Sequence, residues 1–226
     1  MKETFDETIP RYVIVTDCVV FGFKDNAINV LLVNNQTESG KEEWRLPSAF
    51  MLESEGPDDT VKRALVSKTG LEDIYMEQVV CFGNANKERS AHIVSIVYYA
   101  LVNFAQCDKL LNKRNDTKWF PIKELPVLMY DQEKMVEAAI RRMRYRTMER
   151  PVGLRMLPPL FTISQLHRLV EAIEDKFRDK RNFRKVVEEA YYIEKTDKID
   201  QTGSKRGAAH YRFNQRLYDF YLKHTL

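Results

Sequence analysis

Leu46 to Leu71, LPSAFMLESEGPDDTVKRALVSKTGL, is the stretch on which the fold turns. Pro57 is suited to the first position of a helix, Asp58 puts a carboxylate in its positively polarised first turn, and Gly70 can take the left-handed conformation that ends one. The spacing therefore predicts a helix from roughly Asp58 to Thr69. Trp44 to Met51 reads as an extended segment leading into it. Along the same stretch Glu55 precedes the helix, Arg63, Ala64 and Leu65 fall in its middle, and Ser67 and Lys68 occupy its last turn.

Outward from that helix the pattern changes to strands. Residues 11–33, RYVIVTDCVVFGFKDNAINVLLV, give two β-rich runs joined at the polar turn Lys24-Asp25-Asn26, a hairpin by its pattern. Glu38-Ser39-Gly40 predicts an exposed loop. Met76 to Asn84 and His92 to Phe104 read as further strands, the second so continuously apolar that it suits the centre of a sheet. Beyond Trp119-Phe120-Pro121, Asp131 to about Met148 predicts a helix capped at Asp131, with Met135, Ala138, Ala139, Arg142 and Met143 at helical spacing. The order is β-α-β.

A second unit begins near Pro151, because Pro151-Val152-Gly153 and Pro158-Pro159 bracket a short linker. Residues 1–150 then form one domain and residues 151–226 another. In the latter, Thr162 and Gln165 stand in capping-box register before a helix whose stripe of Ile163, Leu166, Leu169, Val170 and Ile173 is core packing. A basic helix follows, capped at Asp179. Its pattern turns Phe183, Val186 and Val187 inward and leaves Lys180, Arg181, Asn182, Arg184 and Lys185 outside, where a recognition helix carries its base and phosphate contacts. Tyr191 to Lys195 and His210 to Phe213 look like two strands joined by a loop with Lys205 and Arg206 between glycines. Helix, helix and β-ribbon is the winged helix-turn-helix order.

Charge divides along the same line. The net +3 of this chain of 226 residues is −6 over residues 1–140 and +9 over residues 141–226, which points to a basic module meeting a polyanion, with nucleic acid as first suspect. Cys18, Cys81 and Cys107 are an odd set without CxxC spacing and read as buried free thiols. The four histidines are scattered, so neither a metal site nor a cofactor is expected. No apolar run is long enough to span a bilayer, and the start Met1 to Asp6 lacks the order of a signal peptide, so a cytoplasmic location is expected.

The quoted stretch resembles a Nudix box, G-x5-E-x7-R-E-U-x-E-E-x-G-U with U a bulky apolar residue. Gly70 and Leu71 set the register; Glu55, Arg63 and Leu65 match it, Ala49 stands at the first glycine, and Ala64, Ser67 and Lys68 stand at the three glutamates that hold divalent cations in the family. With Trp44-Arg45-Leu46-Pro47 before the box, and Leu157-Pro158, Phe161-Thr162, Gln165-Leu166 and Lys180 to Lys185 after it, the whole chain resembles the Nudix-related transcriptional regulators of bacteria. That resemblance implies an α+β fold, with an N-terminal Nudix-type α/β/α sandwich built on a mixed sheet and a smaller C-terminal winged helix-turn-helix.

It also implies a dimeric repressor that binds double-stranded operator DNA and leaves it when a small metabolite enters a pocket that has lost its catalysis. The DNA-contacting set is Lys180, Arg181, Asn182, Arg184, Lys185, Lys205 and Arg206; the effector-binding set is Trp44, Arg45, Phe50 and Glu55, with no catalytic residue. Because the metal-holding acids are missing, the sequence favours a neutral sugar such as L-arabinose over ADP-ribose, the other effector class of the family. The competing readings are an ADP-ribose-responsive repressor of NAD metabolism, and an active Nudix hydrolase in which Glu55 joins Glu53, Asp59 or Glu88 around a metal.

Overall fold

Asp25 and Asn26 both take positive φ, 51° and 59°, which Asp and Asn tolerate better than other side chains, and the two-residue turn they make folds β1 (Tyr12–Lys24) back onto β2 (Ala27–Asn34). The computed structural model describes residues 12–34, 42–84, 92–111, 116–201 and 207–225. The extended segment after the hairpin is two short strands, β3 (Trp44–Arg45) and β4 (Ser48–Phe50), instead of one. The break falls at Leu46-Pro47. Pro47 has no N–H to give a ladder, and the Leu46 N–H is drawn away to the Gln132 side chain at 3.0 Å.

Helix α1 (Pro57–Thr69) follows the expected bounds, with Gly70 at φ 72° closing it by donating its N–H to the Val66 carbonyl at 2.9 Å. Then come β5 (Tyr75–Asn84), β6 (His92–Val102), α2 (Phe104–Leu111), β7 (Thr117–Pro121) and α3 (Gln132–Glu149). Seven strands form one sheet among the described residues, along the path β3-β2-β1-β6-β5, with β4 on β1 and β7 on β2. β1 and β6 run parallel from Tyr12↔His92 to Gly22↔Val102 and the other pairs are antiparallel, so the sheet is mixed as expected.

Both faces of β1 are buried. Cys18 and Val20 pack with Val61 and Leu65 of α1, while Val19 and Phe21 join Met135, Ala139 and Met143 of α3. This explains the unbroken apolar run, since a central strand between two layers has no face for water. Cys18 and Cys107 are buried, but Cys81 is exposed, against expectation, because it lies beyond the bulge at Gln78/Val80 on the edge strand β5.

The remaining elements are β8 (Phe161–Thr162), α4 (Ile163–Glu174), α5 (Lys180–Glu189), β9 (Ile193–Asp200), β10 (Ala208–Phe213) and α6 (Gln215–Thr225). Thr162 and Gln165 form the expected capping box, Gln165 N–H to Thr162 Oγ1 at 3.2 Å and Thr162 N–H to Gln165 Oε1 at 2.8 Å. β8, β10 and β9 make a separate antiparallel sheet. Leu166, Leu169 and Ile173 of α4 belong to the same apolar cluster as Val19, Phe21 and Met143, so one core runs from the large sheet into the C-terminal unit. Burial of each such side chain stabilises by about 1.5–3 kcal/mol.

Candidate functional site

The residues of α1 that match the box are committed to structure. Arg63 donates from Nε to Glu55 Oε1 at 2.6 Å and from a terminal nitrogen to Glu55 Oε2 at 2.7 Å, and the same guanidinium reaches the Phe50 carbonyl at 2.7 Å. A bidentate pair of this kind fixes both direction and distance. It clasps the loop to the helix. Chiefly through the Arg63 hydrogen bonds, helped by the Leu52 N–H and the Thr60 hydroxyl, the Glu55 carboxyl is held down at about 2. Asp59, another acid of the hydrolase reading, accepts from Gly56 N–H at 3.3 Å and caps the first turn; Glu88 lies outside the described residues.

Beside this clasp lies a cleft of about 840 Å³, within the usual size of small-molecule sites. Arg45, Phe50, Arg63, Ser67, Lys68 and Tyr130 are among its walls, and Asp17, Ser95 and Gln132 lie deeper. Of the four residues expected to bind effector, Arg45 and Phe50 are there. Trp44 instead packs edge-on against Phe120, ring centroids 5.2 Å apart, and Glu55 is held by Arg63 outside the wall.

The floor was not anticipated. Asp17 is 4% exposed and accepts a close hydrogen bond from the Ser95 hydroxyl and one from Gln132 Nε2 at 2.9 Å. Burial pushes its carboxyl above the usual range, although both hydrogen bonds oppose that. Ser95 is 78 residues away along the chain and Gln132 is 115, so no local motif could join them. What the sequence does carry is a polar residue breaking an apolar strand, Asp17 in VIVTDCVV and Ser95 in HIVSIVYY.

Among the described residues no group of three or more His, Cys, Asp or Glu is placed to hold a metal. The positions at which a Nudix box carries its metal-holding acids are a buried Ala64, a hydroxyl at Ser67 and an ammonium at Lys68. Such a donor set does not fit a hard divalent cation, which wants several oxygen ligands of negative charge.

On the C-terminal unit, α5 starts at Asp179, whose side chain accepts from the Asn182 N–H at 2.9 Å. Lys180, Arg181, Asn182, Arg184 and Lys185 are all exposed, and Arg184 is paired with Glu188 at 2.9 Å. The inward set needs correction. Phe183 is half-buried and Val187 is 5% exposed, but Val186 is 65% exposed, because adjacent helical residues point about 100° apart and the core takes one of the two valines. His167 ties the turn before α5, its Nε2 2.8 Å from the Arg178 carbonyl and its ring edge-on to Phe183 at 4.9 Å. Lys205 and Arg206, expected at the wing tip, lie outside the described residues.

Residues 153–213 match the family model described as the NrtR DNA-binding winged helix domain. A crystal structure of Shewanella oneidensis NrtR complexed with a 27mer DNA is similar at TM-score 0.77 and 27% identity, covering 88% of this chain and 93% of that one. Over most of its length the chain is thus similar to NrtR-type proteins, Nudix-related transcriptional regulators with a winged helix. The ADPR responsive transcriptional repressor NtrR of Acinetobacter baylyi is 27% identical over 93% of this chain and 86% of its own length. The N-terminal part is also similar to the Nudix domain of S. oneidensis NrtR complexed with ADP ribose, at TM-score 0.50 and 27% identity over 62% of this chain and 94% of that one.

Proposed function

We propose that this NrtR-type chain is a transcriptional repressor of the bacterial cytoplasm that binds double-stranded operator DNA, as a homodimer, through α5 and the wing. ADP-ribose entering the cleft of residues 1–150 releases residues 151–226 from DNA. The observation that carries the effector assignment is the wall of that cleft, where Arg45, Arg63 and Lys68 line a space joined through one core to the winged helix. Arg45 and Arg63 are paired with Glu43 and Glu55, but Lys68 has no partner among the described residues, and an ammonium of that kind is surplus to a neutral sugar but matches an anionic diphosphate. The relative from A. baylyi and the ADP-ribose-bound Nudix domain support the same choice. The expectation of L-arabinose, drawn from the missing acids alone, gives way to it.

Hydrolysis is not part of the proposal, because Glu55 and Asp59, two of the acids it would use, are engaged in holding α1. The mechanism is a shift of population: effector that favours one arrangement of the winged helices over the other by about 2.7 kcal/mol changes DNA affinity about 100-fold. Fluorescence anisotropy of labelled promoter DNA, with ADP-ribose or L-arabinose added, tests it. Release by ADP-ribose alone is expected; release by L-arabinose alone would overturn the effector assignment.

A further inference from the structure

We propose that the cleft binds the diphosphate of its effector without a divalent cation, the Lys68 ammonium doing the work of charge neutralisation. This inference rests on the ADP-ribose reading given above. A diphosphate brought into a partly closed cleft needs positive charge close by, and two sources exist: a metal held by carboxylates, or side-chain cations. The described residues supply no acid cluster for the first.

They do supply the second. Arg63, Ser67 and Lys68 stand on one side of α1 at positions i, i+4 and i+5 and all line the cleft. The two arginines of the wall are already committed, Arg63 to Glu55 and Arg45 to Glu43. Lys68 differs: it is exposed on the wall and has no hydrogen bond or ion pair among the described residues. An incoming phosphate therefore meets an ammonium that breaks no contact to receive it.

The acids of the cleft are occupied elsewhere. Asp131 holds Lys134 at 2.6 Å, Asp116 has a partner of its own, and Asp17 is bound on the floor by Ser95 and Gln132. None of them is left to gather a cation at the Lys68 end of the wall.

Calorimetric titration of the full chain with ADP-ribose, in Mg²⁺ and separately in excess EDTA, tests the inference, together with Lys68→Met, which removes the charge but keeps most of the stem. The wild-type affinity is expected to be the same within about twofold in the two buffers, and Lys68→Met is expected to weaken binding at least about tenfold in both. Binding that requires Mg²⁺ would overturn the inference and leave the effector reading standing. Unchanged affinity in Lys68→Met, with its melting curve intact, would overturn it equally. A wild-type chain that takes up ADP-ribose in neither buffer would sink the effector reading and this inference together.

Discussion

Glu55 and Arg63 show how a motif can be legible while its purpose has changed. Spacing alone located both, but only the bidentate contact shows that they now hold the loop at Phe50 to α1. The Glu55 carboxyl is depressed from its ordinary 4.5 to about 2, so the folded chain binds fewer protons there than the unfolded chain between those values. Its stabilising share is complete above about pH 4.5 and is lost as pH falls through about 2. Glu55→Gln should therefore melt below wild type at pH 7, with the gap closing as pH falls from 4.5 toward 2, as thermal denaturation followed by circular dichroism would measure. A gap that stays constant with pH would remove the ion pair as its cause. Asp17, by contrast, was hidden from the sequence, because its partners come from β6 and α3 and only the folded sheet brings them to β1.

Helix α3 touches both the cleft and the C-terminal unit. At its first residue Gln132 donates to Asp17 at 2.9 Å and accepts the Leu46 N–H at 3.0 Å, so it ties the floor of the cleft to the break between β3 and β4. Farther along, Arg142 and Arg146 grip Glu77 of β5, 2.6 and 2.8 Å away. Burial pushes the Glu77 carboxyl up, but these guanidinium bonds and the Tyr75 and Tyr99 hydroxyls outweigh it and hold it below the usual range. Between them Arg144 Nε donates to the Ile173 carbonyl of α4 at 2.6 Å. A rigid helix fixed at one end to the cleft and at the other to the winged helix is a physical link between them. Arg144→Ala should leave ADP-ribose affinity nearly unchanged and reduce the ratio of DNA affinities without and with ADP-ribose by about 5-fold or more, since coupling of this kind is worth about 1–3 kcal/mol. An unchanged ratio would exclude this contact from the coupling. The periodicity of Met135, Ala139 and Met143 revealed the helix, whereas α2 and α6 went unforeseen, short segments with no cap signal strong enough to set them apart.

For the molecule as a whole, the division of charge was the most legible property, because a net −6 over residues 1–140 and +9 over residues 141–226 survive any error in element bounds. The two-part order was legible for a similar reason: proline pairs mark the linker whatever the packing on either side. The shared core was not, since the joining of Met143, Phe21 and Ile173 in one cluster depends on how distant parts of the chain pack together. Basic side chains exposed on one helix make affinity for DNA a matter of counterion release, with log K falling by about 0.9 per phosphate neutralised for each unit of log salt. Lys185 is exposed and has no partner among the described residues, so its contact to a phosphate displaces nothing, while Arg184 must first leave Glu188. Lys185→Ala should therefore weaken operator and unrelated DNA alike and lower the salt slope by about 1. Arg184→Ala, if Arg184 reads a base edge, should cost about 1–3 kcal/mol on the operator and far less on unrelated sequence. Titrations of both variants on both DNAs at several salt concentrations separate the two roles, and a salt slope unchanged in Lys185→Ala would remove α5 from the DNA-facing surface at that residue.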